Sequence, residues 1–175
     1  MLFMDLVSYI LFNFFIYGFL GWILENTFSY VVKKHFQTDG FLNGPFKPMY
    51  AIAMIIIILL YTIYKSNLSL IIIGIVVPTT VEYITGVLMR KYFNKNYWDY
   101  SDLKYNYKGI ICLVFSFYWT ILTFITLKYI QPYIVDKIYI SLKSGLSIIL
   151  IMLMAVLILD EVITLKKFKG NSKLV

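Results

Sequence analysis

The sequence predicts an all-α, polytopic bundle of transmembrane helices. Its 175 residues are 61% hydrophobic and only 14% charged, with a mean hydropathy of +0.79. Soluble domains carry about 25% charged residues, so this composition excludes an ordinary soluble domain. Five apolar runs lie near the ~20 residues needed to cross hydrocarbon, and none alternates apolar with polar residues as a membrane β-strand does. We therefore expect one integral membrane domain over residues 1–175.

The five runs are the predicted spans. The first is too long for a signal-peptide core and lacks a basic start, so we interpret it as a retained helix. Pro48 is well placed to begin the second, which is short and could start in a partly buried loop. We expect the second and third spans to be joined at 65–67 and the fourth and fifth at about 129–143, both on the same side of the membrane. The spans lie at about 6–30, 48–64, 68–90, 109–128 and 144–162.

The net charge of +7 indicates topology rather than nucleic-acid binding. Segments after the first, third and fifth spans hold twelve of the sixteen basic residues, and the remaining four belong to the opposite side. Basic residues concentrate in cytoplasmic loops. We therefore expect the N-terminus outside, the C-terminus in the cytoplasm and a bacterial plasma membrane as the location. The basic tail 166–169 would then face anionic lipid or act as a stop-transfer anchor.

Two loops on the predicted cytoplasmic side carry most of the polar detail. The loop at 33–47 is dense in Gly and Pro but contains Phe41, Leu42 and Phe46, so we expect it to fold back against the bundle. In the loop at 91–108, Asp99 and Ser101 can cap a turn. Its aromatic neighbours, Trp98 and Tyr100, fit either membrane-surface anchors or a polar lid, and both interpretations stay open.

Two glutamates lie inside predicted spans, where a carboxylate costs roughly 2.5 kcal/mol or more at mid-bilayer. Glu25 shares a helical stripe of small residues with Gly18, Gly21 and Ser29, and Glu82 shares one with Pro78 and Gly86. We expect Pro78 to kink its helix, with Thr79 or Thr80 satisfying the opened backbone. If both stripes face inward, Glu25 and Glu82 converge into one polar cluster.

The chemistry of such a cluster is open at this stage. It fits a cation or proton site, an acid/base pair or a structural salt-bridge node. Alternatively, each glutamate reaches the interface or pairs with a basic loop residue. The Asp160-Glu161 pair is expected to bind Lys166 or Lys167. The candidate cations for the glutamates are Lys33, Lys34, Lys47, Arg90 and Lys108.

Several classes of site are not predicted. The single histidine, His35, lacks the partners of a metal site, and the single cysteine, Cys112, suits a small packing residue. No P-loop, Ser-His-Asp grouping, CxxC or HExxH motif is present. We therefore expect no metal and no cofactor, and any use of ATP requires a separate ATPase.

The motifs together resemble a family of small bacterial membrane proteins, the CmpB-like permeases described as putative ABC-transporter type IV. The resemblance covers about residues 18–135, with Trp98-Asp99-Tyr100-Ser101 its sharpest piece. Three charged positions depart from the family pattern: Arg90 replaces an acidic residue, Ile110 an arginine and Asp39 a basic residue. The other matching residues are Gly21, Trp22, Glu25, Gly40 to Pro45, Pro48, Tyr50, Glu82, Tyr83, Thr85, Gly86, Asn106, Gly109, Ile111, Cys112, Leu113, Ser116 and Trp119.

Three functions are consistent with the sequence. The first, implied by the resemblance, is a permease-like transport subunit that works with a separate ATPase or other membrane subunit, or as a homo-oligomer. The second is a small intramembrane enzyme acting on an amphiphilic or lipid-linked substrate, and the third an assembly or regulatory subunit. The predicted polar cluster consists of Trp22, Glu25, Asn43, Glu82, Trp98, Asp99, Tyr100, Ser101 and Asn106.

Overall fold

The computed structural model describes residues 2–37, 40–143 and 145–171, and these ranges are mostly helical. Asp39 lies outside the described residues, as do Lys173, one of the twelve basic residues counted above, and the side chain of Lys33. The described elements are α1 (Leu2–Lys33), α2 (Pro48–Ile63), α3 (Asn67–Phe93), β1 (Asn106–Tyr107), β2 (Ile111–Cys112), α4 (Leu113–Ile125), the π-helix π1 (Thr126–Val135), α5 (Asp136–Leu142) and α6 (Leu146–Asn171).

The predicted all-α membrane class is confirmed. Four helical stretches in the described ranges are long and apolar enough to cross a bilayer: Met4–Val32, Asn67–Phe93, Leu113–Leu142 and Leu146–Lys169. The fifth apolar helix, α2, begins at Pro48 as expected and has only 16 residues. At 1.5 Å per residue it is about 24 Å long, shorter than a typical hydrocarbon core of about 30 Å.

The fourth predicted span is displaced along the chain. Residues 109–112 form the turn and second strand of a small antiparallel hairpin, and the helix begins only at Leu113. It then continues through π1 and α5 to Leu142, so the predicted connection at 129–143 is wrong over most of its length. Pro132 lies inside π1. An α-helix would bring its ring against a carbonyl of the preceding turn, and the wider π-turn relieves that contact.

The chain divides into two compact units, which are described separately. Unit 1 comprises Met1–Ala51 with Tyr139–Val175, and unit 2 comprises Ile52–Ile138. In unit 2, α3 and α4 are antiparallel: Gly74 lies against Thr123 at one end, and Gly86 lies against Ile110, just before α4, at the other. Pro78 does not interrupt α3.

In unit 1, α1 and α6 run parallel. Near their first residues, Asp5 forms an ion pair with Lys143, which follows the last residue of α5 and lies three residues before α6. Farther along both helices, the loop 40–47 joins them, since Lys47 pairs with Glu25 of α1 and the Gly44 N–H donates to Asp160 of α6 at 2.8 Å.

Two parallel membrane helices of one chain must be separated by an odd number of membrane crossings. Because α3 and the helix 113–142 supply two, the short α2 is expected to supply the third.

This parallel arrangement predicts that tags added at the two termini lie on opposite sides of the membrane. Protease protection of each tag, measured in inside-out and right-side-out vesicles, checks the prediction. We expect the C-terminal tag to be cleaved only in inside-out vesicles and the N-terminal tag only in right-side-out ones. Cleavage of both tags in the same preparation would show that α2 does not cross.

Candidate functional site

The loop 40–47 folds back into unit 1, as its apolar residues predicted. Phe46 packs on Gly18, halfway along α1, so closely that a Cβ there would overlap the Phe46 ring. The backbone N–H of Lys47 donates to the Gly18 carbonyl at 3.0 Å. One turn farther along α1, the Tyr50 ring covers Gly21 in the same way. The small stripe of α1 thus admits a loop and the first turn of α2 rather than a complete helix.

Glu25 lies on the same stripe, one turn beyond Gly21, and forms an ion pair with Lys47. The side chain of Glu25 is 21% exposed and that of Lys47 is 15% exposed, so the pair is mostly buried. Of the five candidate cations, Lys47 is therefore the partner of Glu25. Trp22 is half-buried and its ring stacks on Phe19, with the ring centroids 6.0 Å apart.

Asp160 anchors the same loop from α6, a role that the sequence analysis missed. Its carboxylate accepts from the Gly44 N–H at 2.8 Å, from the Asn43 N–H at 3.2 Å and from the Asn43 side-chain amide at 2.6 Å. Lys167 donates to the Asn43 side-chain carbonyl at 2.6 Å. The expected pairing of Asp160 with Lys167 is therefore indirect: both side chains bind Asn43, whose amide also donates to Thr164.

Glu82 is the most buried acidic residue among those described, with 2% of its surface exposed. In unit 2, the Tyr100 hydroxyl donates to one of its carboxylate oxygens at 2.8 Å, and the Trp119 indole N–H donates to the other at 3.3 Å. One turn before Glu82, Thr79 donates to the Ser116 hydroxyl at 2.8 Å. Thr79 therefore links α3 to α4 instead of satisfying the backbone at Pro78.

The loop 94–112 holds Tyr100 in place by internal hydrogen bonds. The Trp98 indole N–H donates to the Ile110 carbonyl at 2.8 Å, and the Tyr100 N–H donates to the Gly109 carbonyl at 2.9 Å. Asn106 donates to the Ser101 and Leu103 carbonyls and accepts from the Gly109 N–H at 3.0 Å. The Trp98-to-Ser101 motif, together with Asn106, thus builds an internally hydrogen-bonded loop from which Tyr100 reaches Glu82.

Arg90 braces this loop against the end of α3. Its guanidinium donates to the Lys108 carbonyl at 2.6 Å and to the Asn96 side chain at 2.9 Å.

Gly109 adopts a φ of +66°, and a Cβ there would collide with Asp99 and Ser101. Because a positive φ favours glycine, this position explains why the motif needs one.

Asp99 closes the turn that leads into Ser101. The Ser101 hydroxyl donates to its carboxylate at 2.6 Å and the Ser101 N–H at 2.9 Å. These bonds, helped by the nearby Arg90 charge, hold the pKa of Asp99 below its usual value of 3.8. A carboxylate with a lowered native pKa stabilises the fold above its unfolded pKa, and that contribution disappears as the pH falls through the native pKa.

We therefore expect protection of the Ser101 amide to be lost at a pH below 3.8, where Asp99 becomes protonated in the loop. Hydrogen exchange at Ser101, corrected for the intrinsic rate at each pH, measures this. Asp99→Asn should remove most of the pH dependence, whereas Asp102→Asn in the same loop should retain it. An unchanged pH profile in Asp99→Asn would contradict the assignment.

The predicted site residues thus fall into two centres. Glu25 belongs to unit 1 together with Trp22 and Asn43, whereas Glu82 belongs to unit 2. Convergence of the two glutamates stays a prediction. Within the described ranges, no group of three or more His, Cys, Asp or Glu side chains could hold a metal ion. The unit 2 centre also contains Trp98, Asp99, Tyr100, Ser101 and Asn106.

Comparison with known proteins identifies the family of this chain. Residues 12–165 match the family described as Putative ABC-transporter type IV. The chain belongs to this family. The match to the ABC-transporter type IV family includes Glu25, Glu82, both loops and the Asp160 anchor. No curated protein and no solved structure matches the chain significantly.

Proposed function

We propose that the chain is the membrane-embedded, permease-like subunit of a transport system in the bacterial plasma membrane. The observation that carries this proposal is Glu82, a carboxylate 2% exposed within a helix apolar enough to span a bilayer. Ionisable residues in such positions are costly and commonly mark ion or substrate pathways. Membership of the ABC-transporter type IV family supports the same function.

The contacts of Glu82 support a centre that is covered by a loop. Tyr100 reaches the carboxylate from the loop 94–112, and Trp119 reaches it from α4. A ligand that exchanges hydrogen bonds with Glu82 would displace the Tyr100 hydroxyl and so act directly on the loop. Glu25, covered by the loop 40–47, forms a second polar centre in unit 1.

ATP-driven transport by this subunit would require a partner. The sequence contains no P-loop, so a separate ATPase would supply hydrolysis. A homo-oligomer or another membrane subunit would complete the assembly.

Reconstitution tests the proposed function. The tagged chain would be purified from its native membranes in mild detergent and reconstituted into vesicles. ATP hydrolysis and ATP-dependent flux of labelled amino acids, sugars, nucleosides and inorganic ions would then be measured. We expect Glu82→Gln to reduce the flux at least tenfold and Tyr100→Phe to reduce it less, because Tyr100→Phe leaves the carboxylate in place. Thr80→Val, an exposed position on the same helix, should have no effect.

Two results together would contradict the proposal. They are the absence of ATPase activity in the wild-type preparation and a flux, measured both with and without ATP, that Glu82→Gln leaves unchanged. Conversion of a lipid-linked substrate without flux would favour the enzymatic alternative instead.

A further inference from the structure

The Glu25–Lys47 ion pair occupies an unusual place in unit 1. Lys47 belongs to a non-helical segment whose backbone contacts Gly18, about 24 Å along α1 from Leu2 at 1.5 Å per residue. Non-helical backbone at membrane depth occurs where protein covers it or where it lines a polar cavity. Of the Glu25 side chain 21% is exposed and of the Lys47 side chain 15%, so protein does not enclose the pair completely.

The loop 40–47 does not need this ion pair as an anchor. Three hydrogen bonds to Asp160 hold Asn43 and Gly44. Phe46 packs on Gly18, and the Lys47 backbone N–H binds the Gly18 carbonyl independently of the lysine side chain. A mostly buried ion pair contributes little net stability, because desolvation offsets its Coulomb attraction. Holding the loop is therefore a weak reason for placing two charges here.

Charge balance indicates which ligand the pair suits. In a poorly hydrated site, an anion that binds Lys47 leaves Glu25 without a counter-charge, and a cation that binds Glu25 leaves Lys47 without one. A zwitterion bound between the two side chains gives each charge a partner, and the flexible stem of Lys47 allows the separation. We propose that Glu25 and Lys47 bind a zwitterionic ligand, with its ammonium at Glu25 and its carboxylate or phosphate at Lys47.

Two sources supply this chemistry: a free α-amino acid and the headgroup of phosphatidylethanolamine. The inference rests on the proposed transport function, since it names the substrate class of the unit 1 centre. It is tested by equilibrium binding alone, without ATP and without flux. If a preparation shows Glu82-dependent flux but binds no zwitterion, this inference is therefore overturned and the proposed function stands.

The experiment uses the full-length chain in nanodiscs. In discs of phosphatidylglycerol only, binding of a tritiated mixture of the twenty amino acids is measured. In discs of equal phosphatidylethanolamine and phosphatidylglycerol, native mass spectrometry measures which lipid is retained. We expect the amino-acid mixture to bind or phosphatidylethanolamine to be retained preferentially, and Glu25→Gln or Lys47→Gln to reduce that signal at least tenfold. Lys143→Gln, which breaks the exposed pair with Asp5, should not reduce it.

The double variant Glu25→Gln with Lys47→Met separates binding from support of the fold. It removes both charges together, so neither is left buried and unpaired, and it should unfold like the wild type while binding remains reduced at least tenfold. Wild-type binding by this variant would show that neither charge holds the ligand and would overturn the proposal. Absence of zwitterion binding by the wild type in both kinds of disc would overturn it as well.

Discussion

Replacing Gly18 by alanine is expected to lower the free energy of unfolding by about 2 kcal/mol and to release the loop 40–47. Overpacking a tight contact typically costs 1–3 kcal/mol. Here the new methyl group would overlap the Phe46 ring, which already packs against Phe14 and Phe15, with ring centroids 5.2 Å and 5.8 Å away. The alanine gains at most about 1 kcal/mol in helix propensity, so the steric cost dominates.

The matched control is Gly145→Ala. A Cβ at Gly145 meets nothing within 4 Å, so this variant should unfold within about 0.5 kcal/mol of the wild type. Denaturation by SDS, followed by circular dichroism in mixed micelles, compares the variants, and hydrogen exchange over residues 40–47 reports on the loop. Equal stabilities of Gly18→Ala and Gly145→Ala would contradict the close packing of Phe46 on α1.

Removing the Asp160 carboxylate with Asp160→Ala is expected to cost about 2–3 kcal/mol. Each hydrogen bond to a charged group contributes about 1.5–3 kcal/mol. Asp160 accepts three, but the exposed side chain of Asn43 can turn to water, so the full sum is not expected. The N–H groups of Asn43 and Gly44 would lose their acceptor, and hydrogen exchange at both should rise at least tenfold.

Two further variants test the Asp160 anchor. Asp160→Asn keeps one oxygen that can accept from a backbone N–H, so it should recover part of the lost stability. Glu161→Ala removes the neighbouring carboxylate and should have little effect. If Glu161→Ala destabilised the loop as much as Asp160→Ala, general charge at the end of α6 would be responsible instead of the bonds to Asn43 and Gly44.

Much of the fold follows from local patterns. Apolar length predicted the helices, and Pro48 predicted the start of α2. The apolar residues Phe41, Leu42 and Phe46 predicted that their loop folds back. The end of the fourth helix was missed: residues 129–143 were expected to form a connection, but the chain continues there as a π-helix that contains Pro132.

The partners of the charged residues depend on contacts distant in sequence. Composition left five cations as candidates for Glu25, and only the path of the loop decided for Lys47. Asp160 lies six residues before Lys166, the first lysine of the basic tail, but accepts from Asn43, 117 residues earlier. A carboxylate near several donors has no local preference that sequence can reveal, because the choice depends on which backbone N–H groups the loop presents.

The sequence by itself determined that the chain is a membrane-embedded helical protein with two glutamates inside apolar helices and two polar loops. These features are visible in the sequence because hydropathy and residue spacing are properties of short segments. Tertiary structure decided what those glutamates touch. It brought Lys47 to Glu25 and, in unit 2, Tyr100 and Trp119 to Glu82. These choices follow from loop geometry and helix packing, in which a short shift exchanges one hydrogen-bonding partner for another.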